Sequence, residues 1–262
     1  MVYVVFILVG FFASVIGCIC GIGGGVIIKP VMDAFHLYSV STVSFMSGCI
    51  VLSMTAYSVI KAAISGESSV EKGRGTYLAV GAALGGLAGK QLFDAIKAAS
   101  ANADAIGAVQ AAALFVLTLA TVVYTLCKSR IRTHSVSSRP VCALIGIALG
   151  LMSSFLGIGG GPINLVVLGF FFSMDSKTAA QNSLYIILIS QLASLVFTLV
   201  SRTVPDFPLA LLVAMAACGI AGGIVGRRIN KKLDSAAVDR LFVGLLIVIM
   251  CVCVYNFLQF RV

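Results

Sequence analysis

Long apolar runs separated by short polar connectors dominate the chain. Six runs of about 17 to 25 residues lie at roughly 42–60, 76–96, 105–127, 179–200, 208–226 and 241–258. Each run is long enough for a helix to cross the ~30 Å hydrocarbon layer of a bilayer. None alternates between apolar and polar residues with a period of two, as transmembrane strands do. The pattern predicts an all-α, polytopic membrane protein.

Composition agrees with this fold class. Of the 262 residues, 60% are hydrophobic and 10% are charged, and the mean hydropathy is +1.11. A water-soluble domain of this length would have too little polar surface to cover so apolar an interior. The first segment, MVYVVFILVGFFASVIG, is apolar like a signal peptide but lacks a basic leader and a small-residue cleavage site. We therefore expect it to remain in the mature protein.

Glycine interrupts two apolar segments in the same way. The first contains GIGGGVIIKP, residues 21–30, and the second contains GIGGGP, residues 157–162. Since glycine costs a helix interior about 1 kcal/mol and proline about 3 relative to alanine, both runs indicate broken helices. Close helix packing is the alternative use of glycine in membranes. That use is favoured for the glycines spaced by four, which are Gly81, Gly85, Gly89, Gly219, Gly222, Gly223 and Gly226.

The second half of the chain repeats the first. Aligning the two glycine runs also aligns GGLAGKQL, residues 85–92, with GGIVGRRI, residues 222–229. The chain is therefore predicted to consist of two copies of one unit, residues 1–127 and 141–262, joined by the polar linker 128–140. Each copy holds one glycine-broken segment followed by three spans.

Basic residues give the orientation. The linker carries Lys128, Arg130, Arg132 and Arg139, and a second basic loop carries Arg227, Arg228, Lys231, Lys232 and Arg240. The positive-inside rule places both in the cytoplasm. With two clear spans between them, the second broken segment must cross the membrane an even number of times. Its arms, about 141–156 and 162–173, are short for two full crossings, so a re-entrant hairpin is predicted.

Three true crossings per copy make the copies antiparallel, which is the inverted repeat of secondary transporters. Both termini are then predicted on the extracytoplasmic side of the plasma (inner) membrane. The first arm of the first hairpin, residues 2–20, is long enough to span the membrane alone.

The glycine runs predict an anion site. Irregular backbone at membrane depth must be surrounded by protein or water, so both turns should face inward. The half-helices that restart at Val26 and Pro162 have free N-terminal amides and the positive end of the helix dipole. Two such ends meeting near the midplane bind an anion without a buried charge. The backbone residues predicted to bind the substrate are Gly23, Gly24, Gly25, Val26, Gly159, Gly160 and Gly161.

Neutral polar side chains near the runs extend this predicted site. They are Ser44, Ser47, Asn164, Gln181, Asn182 and Ser183. Interhelical hydrogen bonding is the alternative role for such residues. Lys29, Lys90 and Arg227 are candidates to add positive charge, although snorkelling also explains basic side chains near span ends.

Other chemistries have little support in the sequence. His36 and His134 lie in connectors with no cysteine or acidic cluster nearby, and the eight cysteines lie in or beside apolar segments. No metal, cofactor or catalytic residue is therefore predicted. The net charge of +9 resides in connectors without interleaved aromatic residues, which indicates membrane orientation and not nucleic-acid binding. Asp33 and Asp94 are expected toward an interface, which gives a proton relay little support.

The paired runs carry a resemblance to a known family. GIGGG followed by four residues and Pro30, together with GIGGGP in the second copy, resembles the TauE/SafE family of sulfite and organosulfonate exporters over nearly the whole chain. The resemblance implies transport of small sulfur oxyanions or sulfonates, usually outward. After the hairpins the chain reads VSFMS and AAQNS, where the family often has an Ala-Thr-Ser-like stretch. The particular anion therefore stays open.

Export by alternating access is the predicted function, with a small anion and the lipid bilayer as partners and the oligomeric state left open. An inside-negative potential favours anion exit by roughly 2.3 kcal/mol per charge per 100 mV. An anion channel, an importer of another small anion and a non-transporting scaffold are the alternatives. A membrane enzyme would need a nucleophile, base or metal cluster, and the sequence shows none.

Overall fold

A computed structural model describes residues 2–35, 37–71, 73–99, 103–156 and 160–259. This part of the chain forms ten α-helices and a 3-10 turn at Lys128–Arg130, and it contains no strand, which confirms the all-α class. The helices are α1 (Val2–Cys20), α2 (Gly25–Asp33), α3 (Val40–Ile64), α4 (Arg74–Ala99), α5 (Ala103–Cys127), α6 (Arg139–Phe155), α7 (Pro162–Phe172), α8 (Ser176–Val200), α9 (Leu209–Lys232) and α10 (Ser235–Gln259).

Six of the described helices are long and apolar enough to cross a membrane: α1, α3, α5, α8, α9 and α10. The chain is therefore a multi-pass membrane protein. The predicted span 76–96 forms α4, which is long enough but is not among the six. The short helices α2, α6 and α7 have 9, 17 and 11 residues. The first arms of the two glycine-broken segments differ in length. The helix α1 is a candidate span, whereas its counterpart α6 is a shorter apolar helix.

Two helices extend well beyond the apolar runs that predicted them. The run 208–226 corresponds to α9, which continues to Lys232, and the run 241–258 corresponds to α10, which begins at Ser235. Hydropathy marks the part of a helix that lies in lipid, whereas the backbone stays helical into polar sequence. Only Leu233 and Asp234 remain between the two helices.

Glycine-lined contacts join the two halves of the chain. The most extensive helix pairings are α4 with α6 and α1 with α9. A β-carbon on Gly85 of α4 would overlap the carbonyl oxygen of Ile147, and one on Gly222 of α9 would lie 2.7 Å from the carbonyl oxygen of Phe11. Backbones approach this closely only where a side chain is missing, so the structure gives these glycines a packing role.

Several helix contacts come in matched pairs. α4 contacts α6 as α9 contacts α1, α3 contacts α9 as α8 contacts α4, and α2 contacts α10 as α7 contacts α5. Each of these contacts becomes its partner when α1 to α5 are exchanged for α6 to α10. The helix α1 makes further contacts with α3, α8 and α10, so the two copies are not identical in their surroundings.

Candidate functional site

The two glycine breaks meet inside the bundle. A β-carbon on Gly161, which caps α7, would lie 2.5 Å from Cγ2 of Val26 in the first turn of α2. The side chain of Ile187 in α8 lies against both breaks. A β-carbon on Gly23 would lie 3.2 Å from Cδ1 of Ile187, and a β-carbon on Gly160 would lie 2.6 Å from its Cγ1. The structure therefore brings the starts of α2 and α7 together.

Both breaks use backbone conformations that favour glycine. Gly24, the cap of α2, has φ 72°, and Gly160 has φ 112°. A β-carbon disfavours these left-handed values. In the first break the amides of Ile22 and Gly23 donate to the carbonyl oxygen of Gly17 at 3.0 and 3.4 Å, which closes the end of α1. Gly159, like His36, lies outside the described residues, so its predicted role stays a prediction.

A cavity of about 400 Å³ reaches the second break, where Gly160 and Asn164 line it. Its walls come from the first half of α3, the middle of α4, the middle and end of α8, the end of α6 and Gln110 of α5. The lining also includes Val40, where α3 begins, and Thr203 in the α8–α9 connector. The cavity therefore extends from the break to the end of the bundle at which α3 starts.

Hydroxyl and amide groups and one lysine give this cavity its polarity. The polar side chains in its lining are Ser41, Ser44, Ser153, Ser154, Ser190, Ser194, Thr198, Thr203, Gln110, Asn164, Gln191 and Lys90. Lys90 donates from Nζ to Oγ1 of Thr198 at 2.5 Å. The buried Oγ of Ser190 has no hydrogen-bond partner among the described residues. Because no carboxylate belongs to the described lining, the site suits an anion.

Three of the predicted binding residues line the cavity: Ser44, Gly160 and Asn164. Ser183 lies behind Asn164, whose Nδ2 donates to Oγ of Ser183 at 3.4 Å, and both side chains are buried. Ser183 therefore orients Asn164 without lining the cavity itself.

The other predicted residues lie elsewhere. Those of the first run, Gly23, Gly24, Gly25 and Val26, are buried and outside the cavity lining, as are Gly161 and Ser47. Gln181 and Asn182 bind the α3–α4 connector. Oε1 of Gln181 accepts from the amide and hydroxyl of Ser69 at 3.0 and 2.9 Å. Asn182 donates to the carbonyl oxygen of Ser69 and accepts from the amide of Glu71, both at 3.1 Å.

Sequence reasoning missed two glutamines of the cavity, Gln110 and Gln191. Each stands inside a long apolar run, at 105–127 and 179–200. A polar side chain within a membrane span is itself a signal of a polar path or an interhelical contact. That signal could have identified both residues.

Polar contacts tie the α3–α4 connector to α8 and α9 at the end of the bundle far from the cavity mouth. Glu67, in the connector after α3, accepts hydrogen bonds from Nη2 of Arg227 at 2.6 Å and from Nζ of Lys231 at 2.7 Å. Nδ2 of Asn230 also donates to the carbonyl oxygen of Ile19 at 2.6 Å. The hydrogen bond from Lys231, with the charges of Lys231 and Arg227, lowers the pKa of Glu67. Together with Gln181 and Asn182, these contacts hold the connector against α8 and α9.

Within the described residues, no group of three or more His, Cys, Asp and Glu side chains is placed to hold a metal ion.

Comparison with known proteins gives one family. A family model described as "Sulfite exporter TauE/SafE" matches residues 6–252. A curated relative, the "Probable membrane transporter protein YunE" of Bacillus subtilis (strain 168), is 25% identical over 280 residues, and the alignment covers 98% of each chain. No solved structure matches the chain.

Proposed function

The chain belongs to the TauE/SafE family, and on that basis we propose that it is a secondary transporter of small sulfur-containing anions such as sulfite or organosulfonates. The observation that carries this proposal is the cavity at the second glycine break. Its described lining offers hydroxyl and amide groups and the Lys90 ammonium, with no carboxylate. Such a lining replaces the hydration of an oxyanion without repelling it.

In the proposed site the anion lies at the start of α7. Gly160 exposes backbone to the cavity, and the α7 dipole places roughly half a positive charge at this end of the helix. The side-chain amide of Asn164 and the hydroxyl of Ser190, which has no partner among the described residues, are nearby hydrogen-bond donors. Lys90 adds the formal charge that compensates the anion. The buried first run, Gly23 to Val26, is proposed to bind the anion from the other side of the membrane in a second conformation.

Alternating access is supported by the matched helix contacts. Exchange of α1 to α5 for α6 to α10 converts the α4–α6, α3–α9, α2–α10 and α2–α3 contacts into α9–α1, α8–α4, α7–α5 and α7–α8, as expected for two copies of one unit. The cavity opens where α3 begins, and at the end where α3 finishes Glu67, Gln181 and Asn182 tie the α3–α4 connector to α8 and α9. With the basic loops in the cytoplasm, this conformation is outward-facing, and the two copies, residues 1–127 and 141–262, move relative to each other.

Export is the proposed direction. Without a coupled ion, an inside-negative potential drives an anion outward. Importers of anions need a coupled cation to oppose that potential. Whether an ion moves together with the anion therefore decides the direction of transport.

Counterflow in proteoliposomes tests the proposal. Vesicles loaded with unlabelled sulfite should accumulate external radiolabelled sulfite, and taurine, ethanesulfonate, sulfate and thiosulfate are then compared as competitors. A saturable exchange that at least one sulfur anion inhibits is expected. A flux that does not saturate and shows no counterflow would identify a channel instead, and strict cation-dependent uptake would reverse the direction.

A further inference from the structure

A buried ion pair lies close to the cavity. Nζ of Lys29 and Oδ2 of Asp33 are 2.9 Å apart on α2, and the two side chains are only 7% and 9% exposed. Nζ of Lys29 also lies 3.5 Å from Oε1 of Gln110 on α5. Burial of two charges costs desolvation energy that well-packed apolar side chains would avoid. Ionisable groups buried in a membrane protein therefore point to ion or proton movement.

A second observation marks the same place as a ligand site. A small cavity of about 30 Å³ lies beside the ion pair, with room for a single water molecule. Asn256 of α10 lines it and is 6% exposed, and its Oδ1 has no hydrogen-bond partner among the described residues. A buried acceptor without a donor is costly. The site therefore suits a species that carries a proton, such as a water molecule or a protonated carboxyl group.

Gln110 connects this site to the anion cavity. It lines both cavities, and its Nε2 donates to the carbonyl oxygen of Phe155 at 2.8 Å. Phe155 is the last residue of α6, next to the second glycine run. One side chain thus contacts the ion pair, the anion cavity and the broken helix.

We propose that Asp33 is a proton-binding site and that one proton moves with each anion, an inference that rests on the proposed transport function. When Asp33 takes up a proton, its charge is neutralised and the ion pair with Lys29 is lost. The Lys29 ammonium then remains beside Gln110 with its charge uncompensated. Anion binding becomes more favourable, and by linkage a bound anion favours protonation of Asp33 to the same degree.

The surroundings of Asp33 favour a proton over a metal cation. The titratable groups that face it in the small cavity are Lys29 on its own helix and the Cys253 thiol on α10, among the described residues. The other elements contribute neutral groups: Gln110, Ala111 and Leu114 from α5, Val40 from α3 and Leu156 after α6. A metal ion would have to displace the Lys29 ammonium and would find no second carboxylate in this lining.

Proton coupling changes the driving force of the cycle. A monoanion that moves together with one proton carries no net charge. The membrane potential then no longer drives its export, and the direction follows the anion and pH gradients.

Binding measurements on four forms of the purified protein test the inference. The probe is ethanesulfonate, because its sulfonate stays ionised from mildly acidic to mildly alkaline pH. The wild type should bind it about fivefold or more tightly at acidic pH, the lower end of typical coupling strengths. Asp33→Asn should bind tightly at every pH. Lys29→Gln combined with Asp33→Asn should bind weakly at every pH, and it keeps the test valid if the single variant fails to fold.

The exposed Asp206, in the α8–α9 connector, supplies the matched control. Asp206→Asn should keep the pH dependence of the wild type. A wild type whose ethanesulfonate affinity does not change with pH would overturn the inference, as would a double variant with unchanged pH dependence.

Flux measurements separate this inference from the proposed function. Proteoliposomes that contain ethanesulfonate and a pH-sensitive dye are diluted into anion-free buffer with the potential clamped by potassium and valinomycin. In the wild type the lumen should become alkaline as the anion leaves, and in the double variant it should not. Net ethanesulfonate efflux without alkalinisation of the lumen in the wild type would overturn proton coupling alone. Absence of any counterflow would overturn the transport function itself.

Discussion

Gly161 and Val26 are in contact where the two glycine breaks meet. A β-carbon on Gly161 would lie 2.5 Å from Cγ2 of Val26, although one residue caps α7 in the second half of the chain and the other lies in the first turn of α2. The positive ends of two short helix dipoles therefore lie close together in the interior. The proposed anion site depends on this proximity.

Packing of α4 on α6 should depend on the glycines of α4. Gly85→Val should destabilise the protein by more than about 3 kcal/mol, because its side chain would overlap the carbonyl oxygen of Ile147. Thermal unfolding in detergent measures the effect. Gly244→Ala is the control, since no atom lies within 4 Å of its β-carbon, and it should be neutral or stabilising by up to about 1 kcal/mol. Equal unfolding temperatures for the two variants would contradict the packing role.

Lys90 should contribute to anion affinity. Lys90→Gln removes the charge and should weaken sulfite binding about tenfold or more, as expected for a hydrogen bond to a charged group. Lys90→Arg keeps the charge and should retain most of the affinity. Lys61→Gln is the control, because Lys61 is exposed and lies near the end of α3 that is far from the cavity. Scintillation-proximity binding provides the measurement, and wild-type affinity in Lys90→Gln would remove this residue from the site.

Glu67 should hold the α3–α4 connector against α9 at the end of the bundle far from the cavity mouth. Its folded-state pKa is lowered by Lys231 and Arg227, so its contribution is present at neutral pH and is lost as pH falls through that lowered value. Glu67→Gln should therefore favour opening at this end. Cys18 is buried there and hydrogen-bonded to Ser58 and to the carbonyl oxygen of Gly223. With Cys18 as the only cysteine, its alkylation should become a few-fold faster.

Glu71 supplies the control for that experiment. Its side chain pairs at 3.0 Å with Arg74, the first residue of α4. Glu71→Gln should leave the alkylation rate of Cys18 unchanged. A rate that rises equally in both variants would show general loosening of the connector and no specific role for Glu67.

The proposed inverted topology places the two hairpin connectors on opposite sides. In a cysteine-free background, an impermeant maleimide added to intact cells should label Leu37→Cys, which precedes α3. It should label Met174→Cys, which precedes α8, only after permeabilisation. Labelling of both from the same side would rule out the antiparallel arrangement of the two copies.

The breaks were the most predictable part of the fold. The second pair of arms, expected at about 141–156 and 162–173, forms α6 and α7 at Arg139–Phe155 and Pro162–Phe172. Local chemistry determines these bounds, because Pro162 occupies the first helical position and glycine precedes it.

The cavity was less predictable because its lining depends on which helix faces meet. Gln181 and Asn182 follow the second hairpin closely in sequence, yet their side chains point to the connector that holds Ser69. Gln110 is distant in sequence but lies beside Phe155 at the end of α6. Burial of Asp33 likewise depends on contacts from α5 and α10, which no local pattern encodes.

Direct binding of radiolabelled sulfite to Gly160→Ala tests the central claim, that the anion binds at the glycine breaks. Gly160 has φ 112°, and a β-carbon there would lie 2.6 Å from Cγ1 of Ile187 beside the cavity. Gly66→Ala is the control, with φ 68° and no atom within 4 Å of its β-carbon. We predict that folded Gly160→Ala binds sulfite at least about tenfold more weakly, a loss of about 1.4 kcal/mol, while Gly66→Ala binds normally. Wild-type affinity in folded Gly160→Ala would contradict the claim.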